Sequence, residues 1–103
     1  RTEYINTIFE AVLEQKNIEE SRKLLNSVKD CGKSLPPRSL WKYVNRCMEN
    51  SIYDASVLNC CRKLIMQGWI DSTTAEALKK MKELRIAART EQEDRILELY
   101  GYK

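Results

Sequence analysis

The chain has 103 residues, 43% of them hydrophobic, with only three glycines and two prolines. That is the length of one domain, and it excludes a disordered or collagen-like polymer. Eighteen basic residues against fifteen acidic ones leave a net charge of +3, too balanced for electrostatics alone to name nucleic acid as the partner.

The apolar pattern predicts helices from the first turn onward. From Thr2 to about Gln15, the residues Tyr4, Ile5, Ile8, Phe9, Val12 and Leu13 form one wide stripe on a helix of period 3.6. Asn17 with Glu20 three residues on is a capping-box-like start for a second helix carrying Ile18, Leu24, Leu25 and Val28 to Cys31. Gly32 stops it, and Pro36-Pro37 prevents resumption in the same direction.

A third helix is predicted from Pro37 to Glu49, with proline tolerated in its first turn and Leu40, Trp41, Val44, Cys47 and Met48 as its stripe. Ser51 and Asp54 repeat the start signal for a fourth, which carries Val57, Leu58, Cys61, Leu64 and Ile65 to Gln67 before Gly68 stops it. Thr73 with Glu76 is the expected cap of a fifth helix, whose stripe is Leu78, Met81, Leu84 and Ala88. Thr90 with Glu93 marks another start, so a break is placed near Arg89 and a sixth helix from Glu91 to Tyr100, closed by Gly101. One unbroken helix from Thr74 to Tyr100 is the alternative.

Parts of this pattern recur. Ile18 and Ile52 are 34 apart, as are Leu24 and Leu58, while Val28 with Leu64 and Gly32 with Gly68 are 36 apart. A period of that size built from helix pairs implies stacked αα repeats, each burying its apolar face on a neighbour. The expected fold is all-α: about six helices in three antiparallel pairs, as a short αα-repeat solenoid or a compact helical bundle. Residues 1–103 are expected to form a single domain. Because the sequence opens at Arg1 rather than Met, a fragment of a larger protein is expected.

At Tyr4-Ile5-Asn6, at Asn17-Ile18-Glu19-Glu20-Ser21 and at Val28-Lys29-Asp30-Cys31-Gly32, closing on Pro36, the chain resembles a pentatricopeptide repeat, and Asn50 to Ala55 partly repeats the pattern. The resemblance covers about two thirds of the chain and extends to the αα-repeat superfamily, including the tetratricopeptide repeats, which mostly bind peptides and proteins. Pentatricopeptide repeats read RNA bases through a short polar residue early in the first helix, a role that Asn6 suits. The matching place in the second copy holds Lys42, so the RNA contacts implied there are to phosphates and tolerant of sequence.

No catalytic constellation is present. Histidine is absent, which removes Ser–His and Cys–His pairs, and no glycine-rich phosphate loop exists. No enzyme activity, cofactor or small-molecule substrate is expected. Cys31, Cys47, Cys60 and Cys61 lack the spacing of a metal site. Cys47 and Cys61 fall on apolar stripes and Cys60 on a polar edge, so reduced thiols in an intracellular setting, cytoplasm or nucleus, are expected. No run of about 18 apolar residues is present, so no membrane span is expected.

The candidate binding residues are Asn6, Arg38, Lys42, Arg46, Lys79 and Lys82. Lys42 and Arg46 stand at i,i+4 on the polar side of the third helix, and the lysines of the fifth helix extend them into a basic strip. An ordinary solvated face balanced by Glu10, Glu14, Glu49 and Glu83 explains the same residues. Trp41 is expected in the core, and Trp69 as a lid over a helix end. The expected function is a protein-interaction module, a scaffold or adaptor that binds a protein or peptide partner, including a second copy of itself. The alternative is single-stranded RNA binding along the strip.

Overall fold

The computed structural model describes residues 2–14, 18–30, 35–86 and 90–102. It is all-helical: α1 (Thr2–Glu14), α2 (Ile18–Asp30), α3 (Pro37–Glu49), α4 (Ala55–Met66), α5 (Ser72–Leu84) and α6 (Glu91–Leu99). The expectations for Asn17, Cys31, Gly32, Ala88 and Arg89 lie outside the described residues, as do those for the side chains of Tyr4, Ile5 and Val28.

The helices pack as three consecutive pairs, α1 on α2, α3 on α4 and α5 on α6. The first helices also touch in series, α1 against α3 and α3 against α5, while α2 leans on α3 and α4 on α5. Thus α3 is the central element, and its stripe of Leu40, Tyr43, Val44 and Cys47 is fully buried. Phe9 and Leu13 enter from α1; Val57, Cys61 and Leu64 from α4; Ala75, Leu78 and Met81 from α5; Ile96 and Leu97 from α6. One contiguous core results, because each amphipathic helix has its apolar stripe covered by the next. Trp41 packs at the edge of this core rather than within it.

Helix starts follow the capping rules, with two corrections. α4 begins at Ala55, and its cap is Asp54, whose Oδ1 accepts from the Val57 amide at 3.2 Å; Ser51 instead holds a left-handed conformation (φ 56°). In α5 the capping pair is Asp71 with Thr74, not Thr73 with Glu76. The indole Nε1 of Trp69 donates to Asp71 Oδ2 at 3.1 Å, fixing the carboxylate so that its other oxygen accepts from the Thr74 amide at 3.0 Å. Thr74 is fully buried, and its hydroxyl accepts from the Asp71 amide at 3.1 Å. The predicted Thr90–Glu93 capping box is present at α6.

Helix ends share one device. After α3, α4, α5 and α6 a residue turns left-handed, Ser51, Gly68, Arg85 and Gly101. The following apolar residue then donates its amide to the carbonyl five positions back: Ile52 to Cys47, Trp69 to Leu64, Ile86 to Met81 and Tyr102 to Leu97, at 2.8–3.1 Å. This six-to-one bond is the Schellman closure, in which the apolar residue caps the last turn. Gly68 and Gly101 were legible as stops because glycine favours positive φ. Ser51 and Arg85 carry no such mark, and α5 therefore ends at Leu84, short of the predicted break near Arg89. The alternative of one continuous helix to Tyr100 is excluded.

Candidate functional site

Of the six candidate binding residues, three gather in the cleft between α1 and α3. Turning once per 3.6 residues, α3 sends Ser39, Lys42 and Arg46 toward α1. The Ser39 hydroxyl is fully buried and lies within hydrogen-bond reach of both the Asn6 amide oxygen and Glu10 Oε2, the latter at 2.9 Å; its single proton serves one of them at a time. Lys42 Nζ donates to Glu10 Oε1 at 2.6 Å. Arg46 Nη1 lies 3.0 Å from Glu49 Oε1, one turn further along its own helix. The hydrogen bonds from Lys42 and then Ser39 hold the Glu10 carboxyl below its ordinary value, overriding the opposite effect of burial.

A cleft of about 180 Å³ is lined by Glu10, Leu13, Glu14, Lys42, Asn45, Arg46 and Glu49. Its charged lining is three carboxylates against two cations, a net of −1. Asn6 is therefore held by the fold through Ser39, and Lys42 is engaged by a carboxylate across the helix interface. Sequence reasoning passed over Ser39, since a serine on an amphipathic helix shows no sign of which helix will cover it.

The other three candidates do not join this cleft. Arg38 is exposed one turn before Lys42. Lys79 Nζ sits 5.0 Å from the centroid of the Tyr102 ring, a cation–π contact that ties α5 to the closure of α6. Lys82 is half-buried in the last turn of α5. Lys80, also on α5, lies 4.0 Å from Glu83.

The aromatic and thiol candidates are structural in their contacts. Trp41 and Trp69 meet with ring centroids 6.4 Å apart at an interplanar angle of 42°, joining α3 to the closure of α4. Tyr100, the C-cap of α6, donates its hydroxyl to the Ile70 carbonyl at 3.2 Å. Cys60 is only 2% exposed, which corrects its expected polar-edge position: it joins the buried core, while its α4 neighbours Asn59 and Lys63 do not. Burial pushes the Cys47 thiol up to about 11 and the Cys60 thiol up to about 12, and raises Cys61 further. Such thiols are protonated and poorly nucleophilic at neutral pH.

Among the described residues no helix is long and apolar enough to cross a membrane, and no group of histidine, cysteine or carboxylate side chains is placed to hold a metal ion. Comparison with family models, with curated proteins and with solved structures gives no match.

Proposed function

We propose that this chain is a protein-interaction module, an αα-repeat scaffold or adaptor within a larger intracellular protein, whose partner is a protein or peptide or a second copy of itself. The observation that carries this reading is the charge pairing of the α1–α3 cleft. Binding of a polyanion draws its strength from cations that neutralise phosphates and release counterions. Here Lys42 already meets Glu10 at 2.6 Å and Arg46 meets Glu49 at 3.0 Å, and Lys79 lies over Tyr102. A mixed-sign surface of this kind suits a polypeptide, which carries both signs itself. Three buried thiols without disulfides, Cys47, Cys60 and Cys61, support a reducing compartment.

The competing reading is single-stranded RNA binding through Arg38, Lys42, Arg46, Lys79 and Lys82. Fluorescence anisotropy of a labelled mixed-sequence RNA, at low and physiological salt, separates the two. The protein-interaction reading expects no binding tighter than roughly 10⁻⁴ M, and no change in Lys42→Glu/Arg46→Glu. Tight binding that falls with salt at about −0.7 per phosphate contact, and that the charge reversal abolishes, replaces it with the RNA reading. Light scattering at high concentration decides the narrower question of self-association, which a strict monomer removes.

A further inference from the structure

The second helices, α2 and α4, do not close on each other as the first helices do. They are joined near one end by Arg22, whose Nη2 reaches Asp54 Oδ2 at 2.6 Å. Elsewhere they leave a groove of about 310 Å³. Leu25 and Asn26 of α2 form one wall. The other is a single face of α4, on which Ser56, Asn59, Lys63 and Met66 recur at helical spacing.

Three features of this groove point to one kind of guest. Its floor and lip are apolar: Leu25 is half-buried, Cys60 closes the base, and Met66 stands 84% exposed at the end of α4. An unbranched methionine adapts its shape to an incoming apolar side chain. Among the described residues the lining contains two cations, Arg62 and Lys63, and no carboxylate. Arg62 is held by Glu93 at 2.7 Å, so the charge presented to a guest is that of Lys63. Finally, the groove of about 310 Å³ is open and bounded by two helices, the setting in which an amphipathic helix lays its apolar face.

We propose that the α2–α4 groove docks an acidic amphipathic helix from a partner protein. Its apolar residues seat on Leu25 and Met66, and its carboxylates meet Lys63. This assignment rests on the protein-interaction reading and deepens it, moving the contact from the first helices to the second. The charge arrangement sets the polarity of recognition: a basic amphipathic helix of the same shape meets Lys63 with like charge and is rejected.

The test is an NMR titration of the isotope-labelled chain with a synthetic amphipathic peptide, leucine on one face and glutamate on the other. A peptide with lysine in place of every glutamate is the control. The proposal expects amide shifts concentrated at Leu25, Asn26, Asn59, Lys63 and Met66, no comparable shifts with the lysine peptide, and weakening as salt rises. Met66→Glu, at a position so exposed that the fold is unaffected, and Lys63→Glu each reduce affinity about tenfold or more, while circular dichroism stays at the parent level. Shifts centred on Glu10, Lys42 and Arg46 instead overturn the groove and leave the protein-interaction reading standing. Absence of shifts with either peptide overturns the groove, and if the RNA anisotropy is positive as well, the wider reading falls with it.

Discussion

Arg22 of α2 and Asp54, the cap of α4, are joined by an ion pair of 2.6 Å, and Arg62 of α4 repeats this reach toward Glu93 of α6 at 2.7 Å. The partners are 32 and 31 residues apart, so one arginine on each second helix reaches the acidic start of the next second helix. Asp54 also accepts from Ser56 at 2.6 Å, and Ser56 lies 2.7 Å from the hydroxyl of buried Tyr43. With the Ser56 proton committed to Asp54, the tyrosine is the donor. A single network thereby ties α2, α3 and α4, and it is this bridge that holds one end of the α2–α4 groove.

Asp54→Ala removes a helix cap and an inter-helix tie together, and is expected to cost about 1–2 kcal/mol, most of it from the cap. Arg22→Ala costs less, because the pair is partly solvated. A double-mutant cycle in chemical denaturation is expected to return a coupling of about 0.5–1 kcal/mol. A coupling indistinguishable from zero would show the tie to be geometric only.

Glu93 has a larger effect. Its side chain is 3% exposed, its Oε1 accepts from the Thr90 amide at 3.1 Å, and its charge faces Arg62. Glu93→Ala is expected to cost about 2–3 kcal/mol, between the values of exposed and fully buried pairs. Glu93→Gln retains the capping bond and loses about half as much. Hydrogen exchange is the check, since α6 packs on α5 at the end of the stack and its amides should lose protection before those of α3.

The left-handed helix closures give opposite predictions at different residues. An added Cβ at Gly68 (φ +79°) meets nothing within 4 Å, so Gly68→Ala is expected to cost ~1 kcal/mol from backbone conformation alone. Ser51, at φ 56°, already carries that strain, and Ser51→Gly is expected to stabilise by about 0.5 kcal/mol, the relief being offset in part by unfolded-state entropy. Thermal denaturation of both variants checks the signs.

Alkaline sensitivity follows from the buried thiols. Their folded values, about 11 for Cys47 and about 12 for Cys60, lie above the ordinary 9.0. The folded state therefore prefers the protonated thiol. This contribution is fully present below 9.0 and is lost as pH rises through the folded values. Denaturation midpoints should fall from pH 9 upward, and the double variant Cys47→Ala/Cys60→Ala, though less stable at neutral pH, should show a flatter decline.

Acid acts through carboxylates with the reverse sign. Burial pushes the Asp54 carboxyl up, but the hydrogen bonds from Ser56 and the Val57 amide, with the charge of Arg22, outweigh it and leave the carboxyl below its ordinary 3.8. Glu10 is likewise held below 4.5, chiefly by Lys42. Their stabilisation is present above the ordinary values and is lost as pH falls through the lowered ones. Lys42→Met should bring the Glu10 titration, followed by carboxyl carbon NMR, back up toward 4.5.

The amino-acid sequence by itself determined the elements of this fold. Apolar residues at helical spacing in Leu40, Val44 and Cys47, the Thr90–Glu93 cap and the Gly68 and Gly101 stops are local signals, because the bonds they make lie within one turn of the chain. The same locality explains the misses. Ser51 turns left-handed ahead of Ile52, which packs against the core, and Arg85 does so ahead of Ile86, whose amide closes on Met81; no short-range propensity records either. Asp71 prevailed over Thr73 because Trp69 fixes its carboxylate.

What only the tertiary structure decided is which charges meet. Lys42 and Glu10 are 32 residues apart, as are Arg22 and Asp54, and a helix surface carries no mark of the neighbour that will cover it. A strip that reads as basic along the sequence is thereby divided: Lys42 and Arg46 meet carboxylates in the α1–α3 cleft, and Lys79 lies beside an aromatic ring at the far end. The α2–α4 groove was equally hidden, since Leu25 and Met66 each read as ordinary helix residues until packing left a gap between the helices that carry them. Charge pairing and voids are properties of pairs of surfaces, and those pairs exist only once the chain has folded.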